Sequence, residues 1–527
     1  MFNQLRNHEM DVIFFPLRLA LLSCIFSVSP LFLSAQIKGE SLEEFSRRRE
    51  LEMQAFAHKQ KTELDSMLSA QNRAFAKMLS GNWTRADLFP ETRAYEKPKP
   101  ENPLVKDTDS LMTSSILSLE PKLLEEDAVG DMEYKTALDD SPKDQENPIS
   151  EMPASESKIS DLDERFREQI PLEGLKFFGN NTWTPVLKNW PLHQGELSAR
   201  SIENYWLQTS KFDSSVLLAY LSEQRKFLQL NPWSSFQMIQ QVAKKNFDDP
   251  VNQELFVWFM MIQLGYDVRL FYGDESVFVA AAFQNKLYSR SYLEAEGKRY
   301  YLLSPRSGNR FITYPGDHEN AMITMRFDGL DSGVYPSEWQ QRTFNFQYQN
   351  KDYTVPLSFN VFRTEFYATV PQNDFDCYFS NPGGSSFLER LKSSLDSLLE
   401  SFESMDDRIR FFHALVCLGV EYETDAQQFG YEKYCMPEEF LIYPKADCED
   451  RTFFLNYLYR QVLKVPTIGL VYPGHMAMAV AMENPPANAA IIRYKEKDYV
   501  FCDPTYIGAA VGDIPQQYQG VTPEIVE

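Results

Sequence analysis

The sequence predicts an α+β protein with several folded units. Apolar residues recur at helical spacing from Ser215 to Leu230 and from Gln253 to Leu264, and strand-like alternation dominates elsewhere. The clearest alternation runs from Phe344 to Tyr348 and resumes from Tyr353 to Phe359, which predicts a hairpin with one buried face. A helix is predicted to start after Pro382-Gly383-Gly384, where Ser386 and Glu389 have capping-box spacing. A chain of 527 residues, 43% of them apolar, is long enough for more than one hydrophobic core.

Composition excludes several classes of function. Acidic residues outnumber basic ones by 75 to 52, and no basic cluster could neutralise several phosphates, so nucleic acid is not an expected partner. The cysteines show no paired metal-binding spacing, and the zinc-protease, phosphate-loop and calcium-loop motifs are absent. We therefore expect no metal and no cofactor.

The first residues have the pattern of a cleaved signal peptide. Arg6 and Arg18 precede an apolar run from Leu19 to Leu33, and a small residue, Ala35, precedes the expected cut. A lipoprotein signal at Cys24 fits less well, because largely apolar residues follow this cysteine. The sequence predicts a periplasmic or secreted protein without a stable membrane span after cleavage.

Changes in composition divide the rest of the chain. Apolar residues at helical spacing lie among charges before residue 87, and scattered prolines among acidic residues follow. We expect the N-terminal helices to offer a docking surface for a partner protein. The predicted segments are a signal peptide (1–35), an amphipathic helical segment (36–86), a disordered acidic linker (87–165), a degenerate domain (166–320), a β-rich connection (321–380) and a catalytic domain (381–527).

The candidate chemistry lies near the C-terminus. Asp447 can cap a helix whose first residue is Cys448 and which Pro466 terminates. A helix N-terminus favours a thiolate, although the adjacent Glu449 and Asp450 oppose it. Strands are predicted from Thr467 to Tyr472 and from Ala477 to Met482, with His475 at the start of the second. A further pair is predicted from Ile491 to Tyr494 and from Asp498 to Cys502, and Asp503 follows its end.

Together these residues form the series of thiol, imidazole and carboxylate, each in a defined structural setting. The strings DCEDR, YPGHMAMAV and CDPTYIGA resemble the transglutaminase-like superfamily from roughly Phe402 onward. That resemblance implies a papain-like core in which Cys448 attacks an amide or acyl carbon, His475 transfers the proton and Asp503 orients the imidazole. The implied function is an exported cysteine-dependent amide hydrolase or acyltransferase acting on a peptide or protein through a thioester.

Other interpretations of the same residues stay open. Cys448 alone could be a small buried residue, His475 a strand cap and Asp503 a turn former, and the fold could serve a non-catalytic envelope binding or assembly protein. Cys502 is expected in the core. Four further histidines are interpreted as structural or exposed: His58, His193, His318 and His413. The second oxyanion donor is unassigned, with three candidates: Gln428, Tyr431 and Tyr443.

A region earlier in the chain has a similar succession of predicted helix and strands. A predicted helix leads to LFYGDESVFVAAAF, which parallels LVYPGHMAMAVAM, and EGKRYYLLSP parallels KEKDYVFCDP. In this degenerate copy, Asp503 would correspond to Ser304, and His475 to Glu275 or Ser276. No cysteine occurs between Cys24 and Cys377, so the unit cannot be a thiol enzyme, and its expected role is scaffolding or substrate binding.

Overall fold

The structure is a computed structural model, and it confirms an α+β protein. It describes residues 42–81, 83–91, 166–273, 276–304, 311–327, 329–506 and 508–527. The predicted signal peptide and nearly all of the predicted linker lie outside these residues. None of the described helices has both the length and the apolar character needed to cross a membrane.

The chain divides into two compact units, Met1–Ala74 and Phe75–Glu527. The described part of the first unit is helical, and the second holds every described strand. The helices are α1 (Leu42–Leu79), α2 (Ala199–Thr209), α3 (Ser215–Phe227), α4 (Pro232–Asn246), α5 (Pro250–Gln263), α6 (Val361–Thr369), α7 (Phe375–Phe379), α8 (Ser385–Leu399), α9 (Met405–Gly419), α10 (Asp425–Gln428) and α11 (Cys448–Tyr457). Short 3-10 turns cover Glu439–Leu441 and Gln516–Tyr518, and a π-helical turn, Leu458–Leu463, extends α11.

The strands fall into two larger sheets and three two-stranded pairs. They are β1 (Thr84–Ala86), β2 (Phe89–Glu91), β3 (Leu172–Phe177), β4 (Asn180–Pro185), β5 (Val268–Gly273), β6 (Ser276–Phe283), β7 (Arg290–Ala295), β8 (Lys298–Leu302), β9 (Phe311–Thr313), β10 (Trp339–Tyr348), β11 (Lys351–Asn360), β12 (Glu421–Tyr422), β13 (Lys445–Ala446), β14 (Thr467–Tyr472), β15 (His475–Val480), β16 (Ile491–Tyr494), β17 (Lys497–Cys502) and β18 (Glu524–Val526).

The first larger sheet corrects two predicted boundaries. Its order is β1-β9-β5-β6-β8-β7-β2, so residues 84–91 form its two edges. The sequence assigned residues 84–86 to a helical segment and 87–91 to a disordered linker. These short segments have no distinctive local pattern, and their strand structure comes from antiparallel pairing with β9 and β7, which are distant in sequence.

The second larger sheet has the order β16-β17-β15-β14-β18. The same order of antiparallel neighbours occurs in the first sheet as β7-β8-β6-β5-β9. Gly273 pairs with Ser276 across a tight connection, as Tyr472 pairs with His475. Ser276 therefore holds the place in its sheet that His475 holds in the other, while Glu275 lies outside the described residues. Common descent of the two sheets stays a prediction.

The predicted hairpin is confirmed. Strands β10 and β11 are joined at Gln349 and Asn350, which have φ values of 51° and 60°. Two consecutive left-handed residues suit the right-handed twist of a two-residue hairpin. Residues facing the core from this hairpin include Phe344 and Leu357. The rest of the predicted β-rich connection is partly helical, because α6 and α7 follow directly.

Helix α8 begins where Pro382-Gly383-Gly384 predicted a start, but without the expected capping box. The N-cap is Gly384, and no side chain caps the helix. Arg363 explains the glycine, because a Cβ at this position would lie 1.5 Å from the Arg363 guanidinium. Close packing thus decides the residue at this helix start.

Two helices form the centre of the apolar core. Every residue of α11 is buried, and α5 is buried from Leu255 to Ile262. Helix α5 packs on β6, and α11 packs on β15. A helix that is buried on all sides has a fixed position and rotation, so α11 holds its first residue, Cys448, rigidly against the second sheet.

Candidate active site

The thiol of Cys448 begins a helix, as the sequence predicts. Asp447 occupies the N-cap position, but its side chain makes no capping hydrogen bond. One turn further along, the Thr452 hydroxyl donates to the carbonyl of Met476 at 3.1 Å. This bond ties α11 to the strand that carries His475.

The imidazole and the carboxylate form a direct pair. His475 is the first residue of β15, Asp503 immediately follows β17, and His475 Nε2 lies 2.6 Å from Asp503 Oδ2. The second oxygen, Oδ1, accepts the backbone N–H of Thr505 at 2.9 Å. Burial opposes ionisation of Asp503, yet the charge of His475 and the hydrogen bonds from His475 and Thr505 outweigh it and lower the pKa of this carboxyl.

The other imidazole nitrogen has no hydrogen-bond partner. His475 Nδ1 is buried and makes no hydrogen bond, while Nε2 is held by Asp503. A carboxylate that holds one ring nitrogen fixes the ring orientation and stabilises the charged imidazolium. The arrangement leaves Nδ1 as the imidazole nitrogen without a hydrogen bond.

In this conformation the thiol contacts a carboxylate. Cys448 Sγ donates to Glu449 Oε2 at 2.8 Å, and both side chains are fully buried. A thiol that donates a hydrogen bond still carries its proton, so nucleophilic attack requires the sulfur to leave this contact and lose that proton. The opposing influence of Glu449 expected from sequence is thus a direct contact.

Two positioning residues escaped the sequence analysis. Arg451 is fully buried and its guanidinium donates to four backbone carbonyls: Ala446, Cys417, Pro504 and Val420. These carbonyls belong to the segment before Cys448, the end of α9 and the segment after Asp503. The available signal was an arginine two residues before the apolar run that begins at Phe453. His413, interpreted only as structural or exposed, is buried, and its Nε2 lies 2.9 Å from the Asp503 carbonyl oxygen.

Cys502 has different surroundings from Cys448. Cys502 is buried, as expected, and its Sγ lies 3.6 Å from the Tyr459 hydroxyl. Burial raises the pKa of the Cys502 thiol, which disfavours a nucleophilic role. The described cysteines are all free of disulfides: Cys377, Cys417, Cys435, Cys448 and Cys502.

The other candidate residues have separate surroundings. His193 Nε2 lies 2.9 Å from the Ser201 hydroxyl, and His318 packs against Phe75 and Trp206. The side chain of His58 lies outside the described residues. Of the three candidate oxyanion donors, Tyr443 packs against the Phe429 ring, Tyr431 is 41% exposed and Gln428 ends the short helix α10. These contacts select no second oxyanion donor.

An acidic cluster and a cavity also lie among the described residues. Asp425, Asp447 and Asp450 are buried, with carboxylate oxygens within 4.8 Å of one another, a spacing that could hold a cation. Backbone N–H groups already donate to Asp425 and Asp450, and this acidic cluster by itself establishes no metal site. A cavity of about 460 Å³ is lined by other residues, among them Trp339 and Arg363, and includes none of the three catalytic candidates.

Comparisons with known proteins add no support for or against a function at this site. No family model, no curated protein and no solved structure matched the chain.

Proposed function

We propose that the C-terminal region is a transglutaminase-like cysteine enzyme that hydrolyses an amide or transfers its acyl group. The observation that carries the proposal is the buried His475–Asp503 pair, with Nε2 and Oδ2 2.6 Å apart and Nδ1 unbonded. A thiol at the start of the helix packed on the same strand completes the set of groups that such chemistry requires. The packing of helix α11 on β15, within an antiparallel sheet, supports the proposal.

The mechanism proceeds in two covalent steps. Nδ1 of His475 accepts the Cys448 proton, and the thiolate adds to the amide carbonyl carbon. The backbone N–H of Cys448 can donate to the oxyanion that forms. As the C–N bond breaks, His475 returns the proton to the leaving amine and a thioester remains. Water then releases the acid, or a second amine takes the acyl group.

Each supporting residue has a defined part in this scheme. Asp503 keeps the imidazole in one orientation and stabilises its positive charge between the two proton transfers. The Arg451 guanidinium donates to a carbonyl before Cys448 and to a carbonyl after Asp503, and it thereby holds these two segments together. In the middle region, Ser276 holds the place of His475. Leu303 bonds to Val279 as Cys502 pairs with Met478, so Ser304 holds the place of Asp503, and this region would act as a scaffold or in substrate binding. Export by the N-terminal signal places the substrate outside the cytoplasm.

A non-catalytic binding or assembly protein is the second candidate. Two observations favour it: the Cys448 thiol donates to Glu449, and the three catalytic candidates are buried. Under this alternative the fold is retained for binding, and the thiol serves only packing.

Two substitutions separate the candidates. Cys448→Ala should abolish processing of amide substrates without unfolding the protein, because removing one sulfur atom from the start of a helix costs little packing. Cys502→Ala is the matched control, because it removes a buried thiol that the mechanism does not use, at a cost of about 1 kcal/mol of stability. Activity-based labelling with thiol-reactive peptide probes, followed by mapping of the modified residue, supplies the substrate-independent readout.

The outcomes are distinct. Labelling of Cys448 in the wild type and in Cys502→Ala, and its loss in Cys448→Ala, is the expected result. Full turnover by Cys448→Ala of any substrate that the protein processes would refute the enzyme assignment.

A further inference from the structure

The candidate active site is closed to solvent. Cys448 and His475 are 0% exposed and Asp503 is 1% exposed. A substrate carbonyl must approach to about 3–3.5 Å of the sulfur before attack. Some part of the protein must therefore move before an amide reaches Cys448.

Two tyrosines cover the imidazole. The Tyr518 ring stacks on His475 with centroids 5.0 Å apart and an interplanar angle of 11°. The Tyr506 ring meets His475 edge-on at 5.6 Å. The Gln517 side chain donates to the Tyr506 hydroxyl at 2.8 Å, which joins the two tyrosine-bearing segments. Burial raises the pKa of both phenols, as expected for rings packed against the buried imidazole.

Tyr518 belongs to a lightly anchored segment. We call residues 516–527 the C-terminal strap. All twelve positions are described, and the buried ones are Tyr518 and Val526. Val526 lies opposite Gly469 in the three-residue ladder between β18 and β14, where a glycine leaves room for it. Between the anchors, residues 519–522 are exposed.

We propose that the C-terminal strap is an autoinhibitory cover, which must lift Tyr518 from His475 before an amide substrate reaches Cys448. The inference rests on the proposed function for its biological role. Its structural claim is that the strap controls access to the Cys448 thiol. The strap is held by two buried anchors, a three-residue ladder, the ring contact between Tyr472 and Tyr518 and the exposed ion pair between Lys495 and Glu527. Such a segment opens at lower free energy than the core does. Helix α11 and strand β15 can therefore stay in place while the strap moves.

Alkylation kinetics test this cover. The full chain is treated with iodoacetamide at pH 9, where any accessible cysteine has substantial thiolate, and modification of Cys448 is followed by peptide mapping. Tyr518→Ala should raise the Cys448 rate by about 10- to 100-fold, since loss of a buried aromatic anchor shifts the opening equilibrium by that order. Tyr518→Phe keeps the stacked ring and should stay slow.

A second variant and a control complete the design. Val526→Asp removes the other anchor without touching the site and should also accelerate alkylation, which tests the cover even where Tyr518→Ala fails to fold. Tyr499→Ala is the matched control, because Tyr499 is 7% exposed, Tyr518 is 6% exposed and both belong to one apolar cluster. Tyr499→Ala should leave the Cys448 rate within about twofold of the wild type, because it does not uncover the imidazole.

Each result decides one claim. Wild-type alkylation rates in folded Tyr518→Ala and Val526→Asp would overturn the cover, and so would equal acceleration in Tyr499→Ala. Faster alkylation of Cys448 without processing of any amide probe would support the cover and count against the enzyme assignment.

Discussion

Substitution of Arg451 should show how one buried side chain assembles the site. The guanidinium is fully buried, and its nitrogens lie 3.2, 3.4, 3.1 and 2.6 Å from the carbonyl oxygens of four residues: Ala446, Cys417, Pro504 and Val420, respectively. Burial lowers the pKa of Arg451, although nearby groups including Asp447 and Asp503 oppose that shift. Arg451→Met keeps the apolar stem and removes all four donated hydrogen bonds.

The expected loss follows from two opposing contributions. Each carbonyl left buried without a donor costs about 1–3 kcal/mol. The Ala446 carbonyl also accepts the backbone N–H of Glu423, so the other three carbonyls cost roughly 3–9 kcal/mol before relaxation. Relief from burying a charge offsets several kcal/mol of that cost. We expect a net loss of about 3–5 kcal/mol in the free energy of unfolding. Arg451→Lys keeps the charge but not the planar set of donors, so its loss should be smaller.

Urea unfolding and active-site labelling measure the two consequences. The labelling rate of Cys448 should fall in Arg451→Met even in protein that remains folded, because the segments before Cys448 and after Asp503 lose their common anchor. Arg493→Met is the control, since the Arg493 side chain is 66% exposed and pairs with Asp498 at the surface. A loss below about 1 kcal/mol in Arg451→Met, with an unchanged labelling rate, would refute this reasoning.

Three further predictions concern the triad, pH and the hairpin. Asp503→Asn should preserve the fold but lower turnover by about 10³- to 10⁴-fold, measured on any identified substrate. Burial lowers the pKa of His318 to about 4, so stability should fall by about 2 kcal/mol between pH 7 and pH 5, as the unfolded imidazole gains a proton that the folded one resists. Urea midpoints should show no such loss in His318→Asn. Asn350→Gly, at φ 60°, should raise the midpoint modestly, whereas Asn350→Val should lower it.

Local sequence patterns predicted the strands around the site closely. Alternation and turn residues placed β14 at Thr467–Tyr472 and β16 at Ile491–Tyr494, as the structure has them. The hairpin at Gln349 and Asn350 was equally predictable from the sequence, because its buried face and its turn are both encoded within a few residues. Cys448, His475 and Asp503 could be selected for the same reason, since each lies at the end of an element with a strong local pattern.

Contacts between distant segments escaped such patterns. Strands β1 and β2 are three residues each, and they exist as strands because they pair with β9 and β7. A capping box was expected at Ser386, but the N-cap is Gly384, which has no side chain to cap the helix. The Arg363 guanidinium fills the space that a side chain at this position would take. In each case a neighbour from far along the chain decided a local feature.

The sequence by itself determined that a thiol, an imidazole and a carboxylate lie at the ends of regular elements in an α+β protein. Only the tertiary structure decided that His475 and Asp503 meet at 2.6 Å, that the Cys448 thiol contacts Glu449, and that Tyr518 stacks over the imidazole. The physical reason is that periodicity reports which face of an element is buried, whereas side-chain pairing and access to solvent depend on how separate elements pack. Arg451 shows this most directly, because its four carbonyl partners converge only in the folded chain.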